Sequence, residues 1–145
     1  MYVPFYAGEI VTAEKLRTRF IEIVLDWTDL SALGTFQNGF TANPAKPPKL
    51  RVQRVMGGLE WLLDGRLNNS GPANLVNATV TMFTFTSTDY RPTVEEGDTQ
   101  YGASSGHYGV RVGLMTNGNL TASVPAAAAS PTTVWLTGFT IRNPK

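Results

Sequence analysis

The chain has 145 residues, carries a formal net charge of +1 and contains no cysteine. Its length suits one domain with a hydrophobic core, and an apolar fraction of 42% is ordinary for a globular protein. The small net charge gives no long-range field to attract nucleic acid or an anionic membrane. No apolar run reaches the roughly 20 residues of a membrane-spanning helix. We therefore expect no nucleic acid partner, no membrane insertion, and no disulfide or thiolate chemistry.

Charged residues make up only 16% of the chain, and Thr, Asn, Ser and Gly are abundant instead. An uncharged polar surface suits a β protein that is embedded in a larger assembly or that meets uncharged ligands such as glycans. This composition favours a binding or structural module.

The first stretch, Met1 to Val11, is predicted to be an extended aromatic arm. Tyr2, Phe5 and Tyr6 surround Pro4, which disfavours helix at the residue before it. Exposing three aromatic side chains would be costly, so the arm is expected to pack on its own domain or on a neighbouring subunit. The stretch lacks the basic and apolar regions of a secretory signal.

A helix is predicted to begin at Thr12, whose hydroxyl suits an N-cap, with the acidic Glu14 in the first turn. Apolar residues then recur at helical spacing and form a stripe for the core or for self-association. These residues are Leu16, Phe20, Ile23, Val24 and Trp27. The run from Ile21 to Leu25 is rich in β-branched residues, so a strand over this run is the alternative.

The stretch from Lys49 to Leu67 is predicted to be a hairpin with its turn at Met56-Gly57-Gly58-Leu59. Leu59, Trp61, Leu63 and Leu67 alternate with polar residues, which is typical of a half-buried strand. The nearby basic residues suggest protective charges on an edge strand, with a phosphate-binding patch as the alternative. These residues are Lys46, Lys49, Arg51 and Arg54.

Further strands are predicted downstream. Between Leu75 and Thr86, Val80 and Met82 share one face while Phe83 and Phe85 share the other. Apolar residues on both faces indicate a central strand or one at a subunit contact.

Asn117-Gly118 joins two alternating runs and favours a hairpin with a type I′ turn. Thr133 to Arg142 is predicted to be one closing strand, with Trp135, Thr137, Phe139 and Ile141 on one face.

A long polar loop is predicted from Ser87 to Ser105, and loops of this length are often functional. It supplies the candidate ligand surface: Tyr90, Glu95, Glu96, Asp98 and Tyr101. Its carboxylates suggest a hard-cation site, but the spacing matches no EF-hand, and a solvated acidic loop is favoured. His107 is the sole histidine, which excludes a multi-histidine metal centre. We predict no enzyme activity, no metal and no cofactor.

Six fragments, in chain order, resemble segments of small tail and receptor-binding proteins of double-stranded DNA bacteriophages, particularly phages of actinobacteria. They are AGEIVTAEKLRTR, WTDLSALGTFQNGFT, VQRVMGGLEWLLDGRL, DYRP, VRVGLMTNGNL and VWLTGFTIR. The resemblance implies an all-β fold, an antiparallel β-sandwich of jelly-roll type, displayed on the virion as a homotrimer. It implies no particular receptor or binding residue.

Residues 1–26 are accordingly predicted to form an arm and helix for anchoring and oligomerisation, and residues 27–145 the β-sandwich domain. The candidate contacts for anchoring or oligomerisation are Tyr2, Phe5, Tyr6, Leu16, Phe20, Phe83 and Phe85. The expected partners are further copies of the chain, other virion proteins of the tail, baseplate or major capsid, and a host cell-surface glycan.

The leading functional hypothesis is a non-enzymatic minor tail protein that binds a host receptor. A capsid decoration or head-fibre protein that stabilises the shell is the alternative. Full receptor-binding proteins of this kind usually carry a longer shaft or baseplate-anchoring region before the domain, whereas only the arm and one short helix are expected before it here. A glycan-cleaving tail enzyme is the third hypothesis.

Overall fold

The structure is a computed structural model that describes residues 8, 10, 12, 13, 20–103, 107–126 and 129–145, with only the backbone at 107 and 108. Two single turns of 3-10 helix, Leu30–Ala32 and Thr88–Tyr90, accompany the strands. The strands in chain order are β1 (Ile21–Asp29), β2 (Gly34–Phe36), β3 (Phe40–Ala42), β4 (Lys49–Val55), β5 (Gly58–Asp64), β6 (Arg66–Asn69), β7 (Val80–Phe85), β8 (Glu96–Ala103), β9 (His107–Leu114), β10 (Asn119–Ser123), β11 (Thr133–Trp135) and β12 (Phe139–Arg142).

The strands form two sheets. The smaller has four strands in the order β1-β4-β5-β12, and the larger has eight in the order β2-β7-β10-β9-β8-β11-β6-β3. All pairings between named strands are antiparallel. The all-β antiparallel fold predicted from the sequence is confirmed. Among the described residues, no helix is long and apolar enough to span a bilayer.

The larger sheet rolls into a nearly closed barrel. Its two edge strands, β2 and β3, are consecutive in the chain and joined by residues 37–39. The Gln37 N–H bonds to the Met82 carbonyl oxygen at 2.9 Å, on the β7 side, and the Ser70 N–H bonds to the Gly39 carbonyl oxygen at 3.3 Å, just after β6. This short link brings the two edges of the sheet together.

One apolar core lies between the sheets. From the smaller sheet, Trp61 and Leu63 point inward, as the alternation of the first hairpin predicts. A row of aromatic rings joins the two sheets through this core. Adjacent rings have centroids 5.0 to 6.5 Å apart, in the order Phe36, Phe83, Phe85, Tyr90 and Trp61.

The chain passes from the smaller sheet to the larger at Gly65, between β5 and β6. Gly65 has φ +92°, and a Cβ built there would lie 2.2 Å from the carbonyl oxygen of Pro47. The chain returns to the smaller sheet between β11 and β12, where the Leu136 N–H bonds to the Gly65 carbonyl oxygen at 2.8 Å. The two crossings are therefore adjacent, and the first requires glycine.

A small polar cluster connects these crossings. The Thr137 hydroxyl donates to Oδ1 of Asp64 at 2.6 Å, and Nζ of Lys46 lies 3.3 Å from the same oxygen. The Thr137 hydrogen bond, the Gly65 backbone N–H and Lys46 hold the pKa of Asp64 below its ordinary value of 3.8. The Asp64 carboxylate is thus stabilised in its charged form.

We expect this carboxylate to make stability depend on pH. Because folding lowers the pKa of Asp64, its contribution is present above pH about 4 and is lost as pH falls through the lower folded pKa. Since the side chain is 38% exposed, the effect should stay below about 1 kcal/mol. Urea unfolding of the wild type and Asp64→Asn from pH 7 to pH 2 measures it. The two free energies should converge at low pH, and a constant difference would contradict the prediction.

The structure corrects the helix prediction for its second half. Ala13 and Phe20 have helical backbone conformation, and strand β1 begins at Ile21. The alternative based on β-branched residues is therefore confirmed. Ile23, Val24 and Trp27 lie on a strand that crosses the predicted domain boundary at residue 26 and extends the smaller sheet. The roles assigned to residues 1–26 and 27–145 remain predictions.

The predicted loop from Ser87 to Ser105 is wrong over its second half. Residues Glu96 to Ala103 form strand β8, which pairs along its whole length with β9. The sequence looks loop-like because Gly, Asp, Glu and Ala, which make up most of this stretch, are depleted in strands. The neighbouring strand overrides that preference: a Cβ at Gly102 would lie 2.3 Å from Cγ2 of Val110. The close packing there favours a residue without a side chain.

The predicted closing strand is two strands, in different sheets. β11 pairs with β6 and β8, whereas β12 pairs with β5. Val134 and Leu136 are buried before the turn at Gly138, and Phe139 and Ile141 are buried after it. Gly138 has φ +89°, and the turn shifts the alternation by one residue. Trp135 consequently faces away from the core.

The Asn117-Gly118 hairpin forms, but its turn is not type I′. The Gly118 N–H bonds to the Met115 carbonyl oxygen at 2.9 Å, and only Gly118 of the loop has positive φ. This arrangement is a type I turn followed by a glycine bulge. The side-chain oxygen of Asn117 instead accepts the Asn119 N–H at 3.0 Å.

Candidate ligand-binding surface

The outer face of the larger sheet carries a row of polar side chains across three strands. Thr99 on β8 and Ser123 on β10 lie directly opposite Arg111 on β9, one on each side. Val110 and Val112 fill the core, so Arg111 points to solvent between them. Gly109, two residues before Arg111, adds no side chain. The side chains around Arg111 are therefore short, and those of Thr99 and Ser123 are polar.

A cleft of about 510 Å³ lies over this row, lined among others by Asn77, Thr99, Arg111 and Ser123. A second cleft of about 590 Å³ shares Thr99 and Arg111 and extends along Glu95, Gly97 and Asp98. We call the two clefts together the Arg111 groove. The groove is open to solvent and built mainly from uncharged polar residues and small side chains.

The charges of the groove come from one ion pair. Arg111 pairs with Glu95, with 3.6 Å between Nη2 and Oε1. Asp98 contributes to the second cleft, but it lies on the same face of β8 as the buried Gln100, whose Nε2 donates to Oδ2 of Asp98 at 3.5 Å, so its carboxylate points away from Arg111. An ion pair this exposed contributes below about 1 kcal/mol, so both partners remain available to a ligand.

An aromatic stack borders the groove. Tyr101 follows Thr99 by two residues on the same face of β8, which places it about 7 Å along the strand. Its ring packs against Trp135 with 4.5 Å between centroids, and the Arg66 guanidinium lies 4.0 Å from the centroid of Trp135. We call these three side chains the Tyr101 stack. Tyr101 keeps 39% of its surface exposed.

The predicted ligand residues are only partly brought together. Glu95 and Asp98 line the groove and Tyr101 borders it. Glu96 begins strand β8 and lines neither cleft. Tyr90 is partly buried and packs on Phe85 and Trp61, so it supports the core.

Phe83 and Phe85 were predicted as oligomer contacts, and the structure corrects this. Both are fully buried inside a single chain, because β7 packs both side chains into the core. They are therefore unavailable to a second subunit. Phe20 is partly buried, and its carbonyl oxygen accepts the Met56 N–H at 2.9 Å. Tyr2, Phe5, Tyr6 and Leu16 lie outside the described residues.

Three of the four basic residues near the first hairpin are paired with acids, and the Arg51 guanidinium lies 5.9 Å from the centroid of the Trp27 ring. Nitrogen-to-oxygen distances are 3.3 Å for Lys46–Asp64, 3.6 Å for Lys49–Asp29 and 3.5 Å for Arg54–Glu22. Strand β4 lies between β1 and β5, so the edge-strand interpretation is wrong. The paired charges also give no support to a phosphate-binding patch.

Within the part of the chain that the structure describes, no three His, Cys, Asp or Glu side chains are grouped to hold a metal ion. Glu96 and Asp98 share one face of strand β8, whereas Glu95 precedes the strand and pairs with Arg111. The side chain of His107 lies outside the described residues.

Several residues of the Arg111 groove and the Tyr101 stack were missed by sequence reasoning: Arg66, Asn77, Thr99, Arg111, Ser123 and Trp135. The signal for Arg111 was present, because a lone charged residue stands between Gly109 and Gly113 on one face of a predicted strand. Trp135 had been assigned to the wrong face. No local pattern links Arg66 to Trp135, since they meet only through strand pairing.

No protein-family model matches the chain, and no curated protein matches it in sequence. The fold is similar to that of the receptor binding protein (gp15) of Listeria phage PSA, with a TM-score of 0.59. The similarity covers 88% of this chain and 68% of that chain at 13% sequence identity. The chain shares its fold with a phage receptor-binding protein. At this identity the likeness establishes the fold alone, and the predicted actinobacterial origin remains a prediction.

Proposed function

We propose that this chain is a non-enzymatic virion protein of a bacteriophage tail that attaches the particle to its host. The observation that carries the proposal is the fold shared with a phage receptor-binding protein over 88% of the chain. The Arg111 groove supports it, because an open polar surface with a fixed aromatic border suits recognition of an external ligand.

The proposal includes a homotrimer held to the tail by the N-terminal segment. Exposed apolar side chains on β1, namely Ile23, Val24 and Trp27, support a protein contact near that segment. Strand β1 directly follows the segment in the chain. These side chains replace Phe83 and Phe85 as candidate contacts, and light scattering of the purified protein measures the number of subunits.

Binding to whole cells tests the proposed function. Fluorescently labelled protein should bind a phage-sensitive strain saturably and should leave a resistant, non-adsorbing mutant of that strain unlabelled. Unlabelled protein in excess should lower the fraction of phage that adsorbs. Absence of cell binding together with unchanged adsorption would overturn the proposal.

Antibody labelling of intact particles separates the tail from the capsid. We expect gold particles at the tail tip, and uniform labelling of the shell would favour the capsid decoration hypothesis instead. The enzyme hypothesis is tested by incubating the purified protein with host polysaccharide and assaying reducing ends. Their release would support a glycan-cleaving enzyme.

A further inference from the structure

We propose that the Arg111 groove and the Tyr101 stack form a binding site for an uncharged saccharide, complete within one chain. The inference rests on the proposed function and names the chemical class of the receptor. It assigns hydrogen bonding to Arg111, Glu95 and Ser123, and ring stacking to Tyr101.

The polar groups of the groove match the hydroxyls of a sugar. A pyranose presents neighbouring hydroxyls that both donate and accept hydrogen bonds. The Arg111 guanidinium offers several donors in a planar fork, the Glu95 carboxylate offers acceptors, and the Ser123 hydroxyl offers both. Arg111 and Glu95 are 3.6 Å apart, so adjacent hydroxyls can reach both side chains.

Tyr101 supplies the apolar part of the site. One face of a pyranose ring carries mainly C–H groups, which pack on an aromatic ring. The Tyr101 ring packs against Trp135 with 4.5 Å between ring centroids, and the Arg66 guanidinium packs on the Trp135 ring. Because the ring is already fixed, binding costs little side-chain entropy.

The charge balance of the groove gives an anionic ligand no electrostatic advantage. Arg111 is paired with Glu95, so a phosphate-bearing or uronic acid polymer would meet no uncompensated positive charge. A neutral saccharide needs no such charge. Because Gly109 has no side chain, a sugar ring has room to approach the sheet at this position.

An open groove of this kind binds weakly, and display in several copies compensates. Linked sites can raise the apparent affinity by about 10² to 10⁴ without any new contact. The groove needs no residue from a neighbour, so a single chain should bind a short saccharide, and an assembly should bind a polymer much more tightly.

The test measures sedimentation of labelled full-length protein with cell walls of the sensitive strain. The walls are used untreated, after periodate, which cleaves vicinal diols, or after protease. We expect periodate to abolish binding, protease to leave it unchanged, and high salt to weaken it only slightly. The inference would be overturned if protease treatment abolished binding while periodate treatment did not, or if binding decreased steeply with salt concentration.

Two variants and two matched controls locate the site. Tyr101→Ala should weaken wall binding roughly three- to tenfold, and Arg111→Ala roughly tenfold. Met56→Ala removes a large apolar side chain, 75% exposed against 39% for Tyr101, from the first hairpin in the other sheet. Arg142→Ala removes an arginine with 82% side-chain exposure, against 74% for Arg111, that is also paired with a glutamate. Both controls should bind like the wild type.

The variants must be folded for this comparison, so each is first checked by thermal unfolding. Tyr101→Phe keeps the ring and should retain most of the binding even if Tyr101→Ala proves unstable. Equal binding by wild type, Tyr101→Ala and Arg111→Ala to periodate-sensitive walls would place the saccharide elsewhere and overturn this site. Absence of wall binding by the wild type would instead count against the proposed function itself.

Discussion

Gly65→Ala is expected to lower the free energy of unfolding by at least about 3 kcal/mol. Two costs combine at this residue. An alanine at φ +92° adopts a left-handed backbone conformation, which costs about 1–2 kcal/mol. The new methyl group would also lie 2.2 Å from the Pro47 carbonyl oxygen, so the backbone at the crossing between the sheets must move. Urea unfolding followed by tryptophan fluorescence measures the change.

Two glycines provide controls for the backbone cost alone. Gly57 and Gly138 have φ +85° and +89°, and a Cβ at either would meet no atom within 4 Å. Gly57→Ala and Gly138→Ala should therefore each cost only about 1–2 kcal/mol. If Gly65→Ala lowers the free energy of unfolding no more than these two variants do, the close approach to Pro47 does not require glycine at this residue.

Phe83→Ala is expected to lower the free energy of unfolding by about 3–5 kcal/mol. The ring is fully buried and is the second of the five in the aromatic row, with its centroid 5.2 Å from that of Phe36 and 5.0 Å from that of Phe85. Removing it leaves a cavity next to both neighbours and breaks the row between the sheets. Chemical denaturation gives the change in stability.

The same variant also tests where Phe83 acts. Light scattering of the folded variant should show the same number of subunits as the wild type, because the side chain does not reach the surface. A loss of subunits without a loss of stability would restore the interface role predicted from the sequence. Phe36→Ala, at the partly buried end of the row, should cost less than Phe83→Ala.

The first hairpin was predictable because its signals are local. Val55 pairs with Gly58 across the two-residue turn Met56-Gly57, one residue earlier than predicted, and both turn residues have positive φ. Leu67, predicted in the second strand, instead lies in β6 of the larger sheet. Trp61 and Leu63 are buried as their alternation indicates. Strict period-two patterning and a turn that requires glycine leave few alternatives for such a segment.

Errors occurred where distant residues decide the local structure. Strand β8 contains few strand-forming residues and is ordered by pairing with β9 along its length. The continuous pattern from Thr133 to Arg142 concealed a change of sheet, because the turn at Gly138 shifts the alternation by one residue. Single-sequence periodicity carries no information on such a crossing.

The candidate site was only partly predictable for the same reason. Glu95, Asp98 and Tyr101 stood out as polar and aromatic residues in one stretch of sequence. Their partners Arg111 and Trp135 lie 16 and 34 residues beyond Glu95 and Tyr101 respectively and are reached only across strand pairs. Sequence composition indicated the chemistry of the surface, whereas the sheet order determines which side chains meet.

The near closure of the larger sheet has a consequence for a protein held at high local density. Its two edge strands are three residues long and joined to each other, so they offer little backbone for pairing with another molecule. Of the longer described strands, β1 lies at the edge of the smaller sheet, and two register shifts interrupt its ladder with β4. Such bulges disfavour regular strand addition. Neighbouring copies can thus be crowded together without polymerising through their sheets.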